Sequence, residues 1–299
     1  MPKNDSADDR RHKAAIIFAA LLLADIFVWH KVFRGPEAET SAISFLDVGQ
    51  GDAALVSFSG GVHSLIDAGP DAKVVGELER AVPGKKYIDL AIISHPQLDH
   101  FNGFRALLRH YRFGAFIVNG RGSNSTENEW NDLLVSLREK SIPLVILEEG
   151  DEIGYGENKI LFLSPGRGFI QSAELNDTAF VNMIETPEFH ALFTGDIGVN
   201  VEEELLRSGA DLRADILKVG HHGSKYSSSE AFLKAVRPKV ALIGVGENRY
   251  GHPAPAVLDR LKDLKITTLR TDTQGSIKIF STETVLRVFT DAQSPTETR

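Results

Sequence analysis

Short apolar segments, each bounded by glycine or polar residues, recur along the chain from Ile43 onwards. The runs at 43–48, 53–58 and 63–68 are separated by G-Q-G-D and S-G-G. Turn residues between short apolar runs predict an antiparallel meander of β-strands. The same pattern predicts further strands at 88–94, 115–119, 143–147, 159–163, 179–186, 189–194, 215–219, 239–244, 267–270, 275–280 and 284–289.

Segments with helical spacing alternate with these strands. In 101–110 the apolar residues Phe101, Phe104, Leu107 and Leu108 recur at the spacing of one helix face. Further helices are predicted at 73–82, 127–140, 199–208, 228–236 and 255–264. This alternation predicts an α/β (α+β) fold in which two sheets pack together and helices cover their outer faces.

An apolar segment lies near the amino terminus. Residues 14–29 are apolar apart from Asp25, and they follow a polar tail at 1–13. A helix needs about 17–25 residues to cross a bilayer, so we predict a single transmembrane anchor or uncleaved signal over 14–33. The flanking basic residues favour a cytoplasmic amino terminus and an extracytoplasmic domain. A cleaved signal, which would make the protein secreted, and a helix packed on the domain are the alternatives.

The other boundaries follow from composition. G-P-E-A-E-T indicates a linker within 34–41, and the segment 42–290 with its alternating strands and helices is the predicted globular domain. The polar stretch 291–299 predicts a flexible tail. A chain of 299 residues is long enough to bury a large core in this one domain.

Composition limits the ligands that are available. The chain has no cysteine and a formal net charge of −8, so any metal ion must be held by His, Asp, Glu, Asn or water. Domains that bind long nucleic acids usually have a basic face, and this sequence has no basic run. We expect its scattered cations, among them Lys218, Lys225, Arg249 and Arg270, to be solvated charges.

Residue types that bind metal ions follow three of the predicted strands. They are His95, Asp99 and His100 after 88–94, Asp196 after 189–194, and His221 and His222 after 215–219. Imidazole and carboxylate are common ligands of divalent cations, and open α/β sheets bind ligands at the carboxyl ends of strands. Taken singly, each cluster also fits a turn or a helix terminus. The presence of all three clusters in one chain favours a metal site.

These residues lie within longer motifs that resemble the metallo-β-lactamase fold superfamily. More narrowly, they resemble the carboxyl-terminal domain of the ComEC family of DNA-internalisation (competence) proteins. The resemblance covers 42–290 and implies a four-layer αββα sandwich and a hydrolase with one or two divalent metal ions. The motifs are F-L-D-V-G-Q-G-D (45–52), L-I-D-A-G (65–69), S-H-P-Q-L-D-H-F-N-G (94–103), F-T-G-D (193–196), L-K-V-G-H-H-G-S (217–224) and N-R-Y-G-H-P (248–253).

The resemblance also implies the roles of the ligands. His95 would bind a first metal ion, Asp99 and His100 would bind a second, and Asp196 would bridge the two. One histidine of the pair 221–222 would complete the second site. His221 is preferred because it comes first after the strand, and His222 is the alternative.

The sequence departs from the full superfamily pattern at Gln97, which stands where the motif H-x-H-x-D-H has its second histidine. The ComEC-like branch has an asparagine in a polar loop, here Asn176. The first site would then consist of His95 and Asp196 with Asn176 or Gln97. A site poor in histidine shifts metal preference from Zn²⁺ towards Mn²⁺ or Mg²⁺, and it leaves open whether one or two ions bind.

Other polar residues are candidates for supporting roles. Asp47, Asp52 and Asp67 lie beside glycines, where they would orient ligand histidines; for Asp47 simple capping of a turn is an equal alternative. Asp99 could orient the attacking water as well as bind metal. Three further candidates for the catalytic site are Ser224 and Lys225, placed to meet a phosphate, and His252, which would protonate a leaving alkoxide or merely cap a helix.

The sequence therefore predicts a membrane-anchored metal-dependent hydrolase, a phosphodiesterase or nuclease acting on DNA through metal-activated water. Because the chain lacks the many membrane spans of a full ComEC channel, a separate DNA-uptake channel would be its partner. A hydrolase of small phosphodiesters, esters or amides is one alternative. A catalytically idle metal-binding module that docks on a membrane partner is another. Oligomeric state is left open.

Overall fold

The computed structural model describes residues 21–22, 25, 40–122, 127–282 and 285–298, the last six as backbone only. The described residues within 40–58 and 62–298 belong to one compact unit. The predicted anchor at 14–33 therefore lies outside the described residues, except for Leu21, Leu22 and Asp25, which are helical. Within the described residues, no helix has the length and apolarity that crossing a bilayer requires.

The first sheet contains the predicted meander. Its strand order is β16-β15-β14-β1-β2-β3-β4-β5-β6. The pairs β14–β1, β1–β2 and β2–β3 are antiparallel. The pairs β3–β4, β4–β5 and β5–β6 are parallel. The strands are β1 (Ala42–Phe45), β2 (Ala54–Ser57), β3 (His63–Ile66), β4 (Tyr87–Ile92), β5 (Arg112–Val118), β6 (Leu144–Ile146), β14 (Ile277–Thr282), β15 (Val285–Thr290) and β16 (Gln293–Thr298).

The second sheet has the order β13-β12-β11-β10-β9-β8-β7. Strands β10 to β13 run parallel, whereas β7 to β10 pair antiparallel. Its strands are β7 (Glu152–Tyr155), β8 (Asn158–Ser164), β9 (Val181–Glu185), β10 (His190–Phe193), β11 (Ile216–Lys218), β12 (Val240–Ile243) and β13 (Thr267–Arg270).

Helices connect the parallel strands, as a crossover between parallel strands requires. They are α1 (Lys73–Ala81), α2 (Leu98–Phe101), α3 (Gly103–Leu107), α4 (Glu127–Glu139), α5 (Val199–Ser208), α6 (Glu230–Val236) and α7 (Pro255–Asp263). A short helix, α8 (Thr271–Gln274), lies between β13 of the second sheet and β14 of the first. The apolar faces of the connecting helices are buried; in α4, for example, Trp130, Leu133 and Leu137 point inward.

Three apolar layers hold the domain together. The central layer joins inward side chains of both sheets, such as Ile43 and Phe45 of β1 with Phe162 of β8. A second layer packs α1, α3 and α4 on the first sheet, and a third packs α5, α6 and α7 on the second. The fold is thus the predicted αββα sandwich. Burial of apolar side chains on both faces of each sheet stabilises it.

Some elements differ from the prediction. The predicted helix 101–110 begins earlier, at Leu98, so Asp99 and His100 lie in α2. Strand β7 was not predicted because it is a largely exposed edge strand with one aliphatic side chain, Ile153. Strand β16 forms within 291–299, for which we predicted a polar tail. Pairing with β15 uses backbone groups, so an apolar pattern is not needed there.

The fold brings the three predicted clusters to one edge of the sandwich. In the second sheet β10 and β11 pair in parallel, with Phe193 opposite Lys218, so the segments after them are neighbours. Across the sandwich, the Phe180 N–H donates to the Ser94 carbonyl at 2.9 Å. Gly195 (φ +48°) lies at this junction, where a Cβ would come within 2.9 Å of Ala179 Cβ. Glycine is therefore required where the two sheets approach.

Candidate metal centre

Four buried side chains from different parts of the sequence form the centre of the site. One ligand atom from each lies within 4.8 Å of the corresponding atoms of the other three. Asp52 follows the turn between β1 and β2, His100 lies in α2, Asp196 follows β10, and His222 follows β11. Of these, Asp52 was predicted from the sequence only as a supporting residue.

Two histidines of the predicted motif have one ring nitrogen held and the other free. His100 Nδ1 lies 2.8 Å from Asp67 Oδ2, and His95 Nδ1 lies 3.0 Å from Ser94 Oγ. The Nε2 atoms of both rings are buried and make no hydrogen bond to the described residues. This is the arrangement of metal-binding histidines, in which a partner at Nδ1 directs the Nε2 lone pair towards the ion.

Asp67 holds both Ser94 and His100 in this arrangement. Its Oδ1 accepts the Ser94 N–H at 2.8 Å, and its Oδ2 accepts the Ser94 hydroxyl at 2.8 Å in addition to facing His100. One carboxylate therefore fixes the first residue after β4 and the ring of a ligand. The supporting role proposed for Asp67 matches these contacts.

The consecutive histidines after β11 differ in their positions. Both have left-handed backbone conformations, with φ +49° at His221 and +53° at His222, which is unusual for residues other than glycine and is characteristic of functional sites. His222 is 2% exposed, and its Nδ1 lies 2.7 Å from the Gly244 carbonyl. Its Nε2 faces Asp99 Oδ2 at 3.3 Å and Asp196 Oδ2 at 3.4 Å. The geometry thus favours His222 as the ligand, where the sequence favoured His221.

His221 lies on the cleft side of the centre. Its ring is about one-third exposed, and its Nε2 is 3.9 Å from Asp196 Oδ2. Asn176 Nδ2 lies 3.3 Å from both ring nitrogens, and Asn176 Oδ1 accepts from Gln97 Nε2 at 2.6 Å. The two amides proposed for the first site are therefore joined to each other and to His221.

Asp196 and Asp99 face the buried imidazole groups of His100 and His222. Asp196 Oδ2 lies 3.4 Å from His100 Nε2 and from His222 Nε2. Asp99 is partly exposed, and its Oδ1 lies 4.0 Å from His100 Nε2. Asp99 therefore reaches both the centre and the cleft.

A buried lysine is the residue that sequence reasoning missed. We expected Lys218 to be solvated, but it is 2% exposed. Its Nζ forms an ion pair with Asp52 Oδ2, lies 3.3 Å from Asp196 Oδ1 and donates to the Gly195 carbonyl at 2.5 Å. The signal was its place in the predicted strand 215–219, where its neighbours are apolar. Gly244 leaves room for the pair, because a Cβ there would meet Asp52 Oδ1 at 2.2 Å.

Asp47 does not take part. Its Oδ1 accepts from the Gly49 N–H at 3.1 Å and forms an ion pair with Lys73 Nζ at 2.8 Å. The carboxylate therefore caps its own turn, which was the alternative interpretation.

The electrostatics of the centre are those of a cation site. Burial lowers the pKa of His100, but the carboxylates of Asp196, Asp67 and Asp99 outweigh it and hold this pKa well above its ordinary value. His222 follows the same pattern, with Asp196 and Asp52 as its partners. For the Asp196 carboxyl, burial raises the pKa, but His222, His100 and Lys218 hold it well below normal. Positive charge is thus strongly favoured here.

His95 has the opposite shift. Burial, reinforced by the neighbouring His100, lowers its pKa to about 4. The ring is therefore neutral near pH 7, and a neutral imidazole is the form that binds a metal ion.

The centre opens into a cleft of about 410 Å³ whose walls include Tyr250, His252 and Gln97. His252 packs edge-on against His221, with ring centroids 5.5 Å apart. Burial and the nearby His221 and His222 lower the pKa of His252, which favours its neutral form.

The two other candidates for the catalytic site are not among the residues that line this cleft. The Ser224 hydroxyl is buried and accepts from the Tyr226 N–H at 3.4 Å. Lys225 is exposed, and its Nζ lies 4.9 Å above the ring of Tyr226. The structure therefore brings neither group to the centre.

The donor set fits a divalent metal ion. Buried carboxylates converge with imidazoles here, and the Nε2 atoms of His95 and His100 have no hydrogen-bond partner among the described residues. Such atoms are costly to bury unless a ligand satisfies them. His95, His100, His222, Asp99 and Asp196 would hold the ion or ions, and Asp52 is close enough to contribute. Nitrogen and oxygen donors of this kind suit Zn²⁺ or Mn²⁺.

Comparisons with known proteins agree with this fold. The family model described as Metallo-beta-lactamase superfamily matches residues 46–247. ComE operon protein 3 of Bacillus subtilis is 30% identical over 258 residues, covering 79% of this chain and 32% of the relative. Competence protein ComA of Neisseria gonorrhoeae is 32% identical over 271 residues, covering 87% of this chain and 35% of the relative. The chain thus spans about a third of the length of these relatives.

A solved structure shows the same architecture. The metallo-beta-lactamase fold protein YhfI from Bacillus subtilis superposes with a TM-score of 0.51 at 14% sequence identity, covering 77% of this chain and 95% of that one. At this identity the likeness concerns the fold. Together with the curated relatives, it confirms the resemblance on which the sequence analysis relied.

Proposed function

The chain belongs to the metallo-beta-lactamase superfamily, and from this membership we propose that it is a metal-dependent phosphodiesterase that cleaves DNA. The family match makes the chain a metal-dependent hydrolase of the metallo-β-lactamase superfamily. The observation that carries the proposed chemistry is the pair of buried, unbonded Nε2 atoms of His95 and His100 beside the Asp196 carboxylate. The choice of DNA rests on the resemblance to the ComEC family of DNA-internalisation proteins and on the relative named Competence protein ComA.

Divalent ions bound here would lower the pKa of a water molecule and offset the negative charge that develops on a phosphodiester. The residues of the chain would prepare this reaction. Asp67 fixes the ring of His100, and Lys218 and Asp52 fix the Asp196 side of the centre. Because these groups are buried and bonded to each other, they need little reorganisation when charge develops.

Asp99 is placed to orient the attacking water. Its carboxylate is partly exposed to the cleft, and its Oδ2 is held 3.3 Å from His222 Nε2. Burial raises the pKa of Asp99, but His100 and His222 outweigh it and lower this pKa. The carboxylate is therefore ionised near neutral pH and can accept a hydrogen bond from water.

His252 would contact the substrate from the wall of the cleft. Its lowered pKa disfavours the protonated form that the sequence-based role of general acid requires. A neutral ring still donates one N–H hydrogen bond, which would suit an oxygen of the phosphodiester. We assign His252 to substrate contact on this ground.

The biological setting extends the proposal. We propose that the apolar segment 14–33 anchors the chain in the cell membrane with its hydrolase domain extracytoplasmic. The DNA would be supplied by a separate uptake channel.

The test is a nuclease assay on single-stranded and double-stranded DNA with Mn²⁺, Zn²⁺ or Mg²⁺, combined with metal analysis. We expect metal-dependent cleavage that is lost in Asp99→Ala and Asp196→Ala, with the folds of both variants checked by circular dichroism. Asp47→Ala is the matched control, since this aspartate caps a turn outside the centre. A metal-loaded protein that cleaves neither DNA nor bis(p-nitrophenyl) phosphate would contradict the proposal and favour a non-catalytic metal-binding module.

A further inference from the structure

A row of rings leads from the metal centre out to the mouth of the cleft. His221 lies 3.9 Å from Asp196 and packs against His252 at 5.5 Å between ring centroids. His252 in turn stacks on Tyr250, with centroids 5.9 Å apart and ring planes inclined by 24°. Tyr250 is therefore the outermost of three rings in contact, and the innermost, His221, lies beside Asp196.

Tyr250 is exposed but is held in place. Its side chain is 65% exposed although it lines the cleft. One amide fixes the loop around it: Asn248 Oδ1 accepts the N–H groups of Tyr250 and His252, each at 3.1 Å. Asn248 Nδ2 donates to the carbonyls of His252 at 2.8 Å and Gly246 at 2.9 Å. The position of this loop is thus set before any substrate binds.

The same loop is joined to the turn that carries His221 and His222. The Ala254 N–H donates to the Gly223 carbonyl at 2.8 Å. Gly223 packs so tightly on Pro253 that a Cβ would lie 2.6 Å from the proline Cβ. A substrate group that contacts Tyr250 would therefore lie at a fixed distance from the metal centre.

A cation accompanies the ring. The Arg249 guanidinium carbon lies 5.8 Å from the centroid of Tyr250, and the Arg249 side chain is exposed. Sites for single-stranded nucleic acid combine aromatic rings, which stack on bases, with cations that meet the backbone phosphates. The chain has a net charge of −8. A cation beside Tyr250 therefore favours a negatively charged substrate.

We propose that Tyr250 is a base-stacking subsite for the nucleotide next to the scissile phosphate, with Arg249 contacting the backbone, and that the substrate is single-stranded nucleic acid. The inference rests on the proposed function for the identity of the cleaved bond. An unpaired base presents a free face to the ring, whereas bases within a duplex are stacked on their neighbours. The subsite therefore selects single strands.

The chain contains a matched control. Tyr226 is 68% exposed, close to the value for Tyr250, and it also has a cation over its ring, Lys225 at 4.9 Å. Unlike Tyr250, it is not among the residues that line the cleft. Tyr226→Ala therefore removes an exposed tyrosine ring and leaves the proposed subsite at Tyr250 intact.

The experiment measures binding apart from cleavage. Fluorescence anisotropy of the 299-residue chain with Mn²⁺ compares a fluorescein-labelled, phosphorothioate-linked thymidine 12-mer with an abasic 12-mer of the same linkage and charge. Stacking of one base is expected to make the 12-mer with bases bind roughly 5- to 100-fold more tightly. Tyr250→Ala should remove this preference, whereas Tyr250→Phe, Tyr250→Trp and Tyr226→Ala should retain it.

Arg249→Gln provides a second readout. It should weaken binding of both oligonucleotides to the same extent and reduce the salt dependence of binding, because a phosphate contact carries no information about bases. Wild-type protein without a preference for bases, or a preference that survives in Tyr250→Ala, would overturn the subsite. Hydrolysis of bis(p-nitrophenyl) phosphate is measured separately. If the metal-loaded protein cleaved neither this ester nor DNA but kept a Tyr250-dependent preference for bases, the proposed function would be refuted and the subsite would stand.

Discussion

Lys218 Nζ lies 3.3 Å from Asp196 Oδ1, and the two side chains are 2% and 1% exposed. The lysine also pairs with Asp52, so one buried ammonium group serves two carboxylates of the metal centre. Burial lowers the pKa of Lys218, but Asp52 and Asp196 outweigh it and raise this pKa. The ammonium group therefore stays charged and offsets part of the negative charge that the centre holds in the absence of metal.

Lys218→Met should destabilise the metal-free protein by about 3–5 kcal/mol, because it leaves buried carboxylates without their partner. Excess Mn²⁺ should reduce this loss by supplying positive charge to the same carboxylates. Urea unfolding in EDTA and in Mn²⁺ measures both effects. Lys239→Met is the control, since Lys239 forms a largely exposed pair with Asp215 at 3.3 Å. Equal losses in the two variants would contradict the role assigned to Lys218.

Asp67→Ala should weaken metal binding by roughly 10- to 100-fold, the usual effect of removing a carboxylate that orients a ligand histidine. The reason is that His100 loses the partner 2.8 Å from its Nδ1. Isothermal titration with Zn²⁺ or Mn²⁺ measures the change, and Asp47→Ala should leave the affinity unchanged. Comparable effects of the two substitutions would show that Asp67 does not act through His100.

Substitution of the two consecutive histidines should distinguish them. His222 is buried against Asp99 and Asp196, so His222→Ala should lower metal affinity by more than about 100-fold. His221 is farther from Asp196 and partly exposed, so His221→Ala should stay within the roughly 10- to 100-fold range of supporting residues. Metal titration of both variants checks this order. The reverse order would restore the preference that the sequence suggested.

His63 should make stability depend on pH away from the metal centre. It is a buried residue of β3, and burial together with Lys85 lowers its pKa from the ordinary value of 6.5. The unfolded chain therefore binds more protons than the folded one below pH 6.5, so stability falls as the pH is lowered through this range. His63→Gln should flatten the fall in unfolding temperature between pH 7 and pH 5.

The control for this prediction is His190→Gln, which makes the same chemical change at an exposed position of β10. It should leave the pH dependence of unfolding as in the wild type. The interpretation of His63 would fail if both variants gave the wild-type slope, or if both flattened it equally.

Much of the fold could be predicted from the sequence because its signals are local. Strands such as β12 carry continuous apolar runs, and α5 and α6 lie almost where helical spacing placed them. Elements without an apolar pattern, such as β7 and β16, were missed because edge strands need only backbone pairing.

The candidate site was predictable as a set of residue types but not as a geometry. Spacing identified His95, Asp99, His100, Asp196 and the pair 221–222, since each cluster follows an apolar strand. Spacing could not decide between His221 and His222, because that depends on which ring the left-handed turn directs towards Asp196.

The sequence by itself determined the strands, the helices and the residue types that gather at their ends, because these depend on periodicity and on chemistry within a few positions. Only the tertiary structure decided that Lys218 is buried between Asp52 and Asp196, that Asp47 caps a turn, and that Tyr250 ends a row of rings. Those facts depend on contacts between segments far apart in sequence, such as Asp52 and Lys218, whose proximity is set by the packing of two sheets.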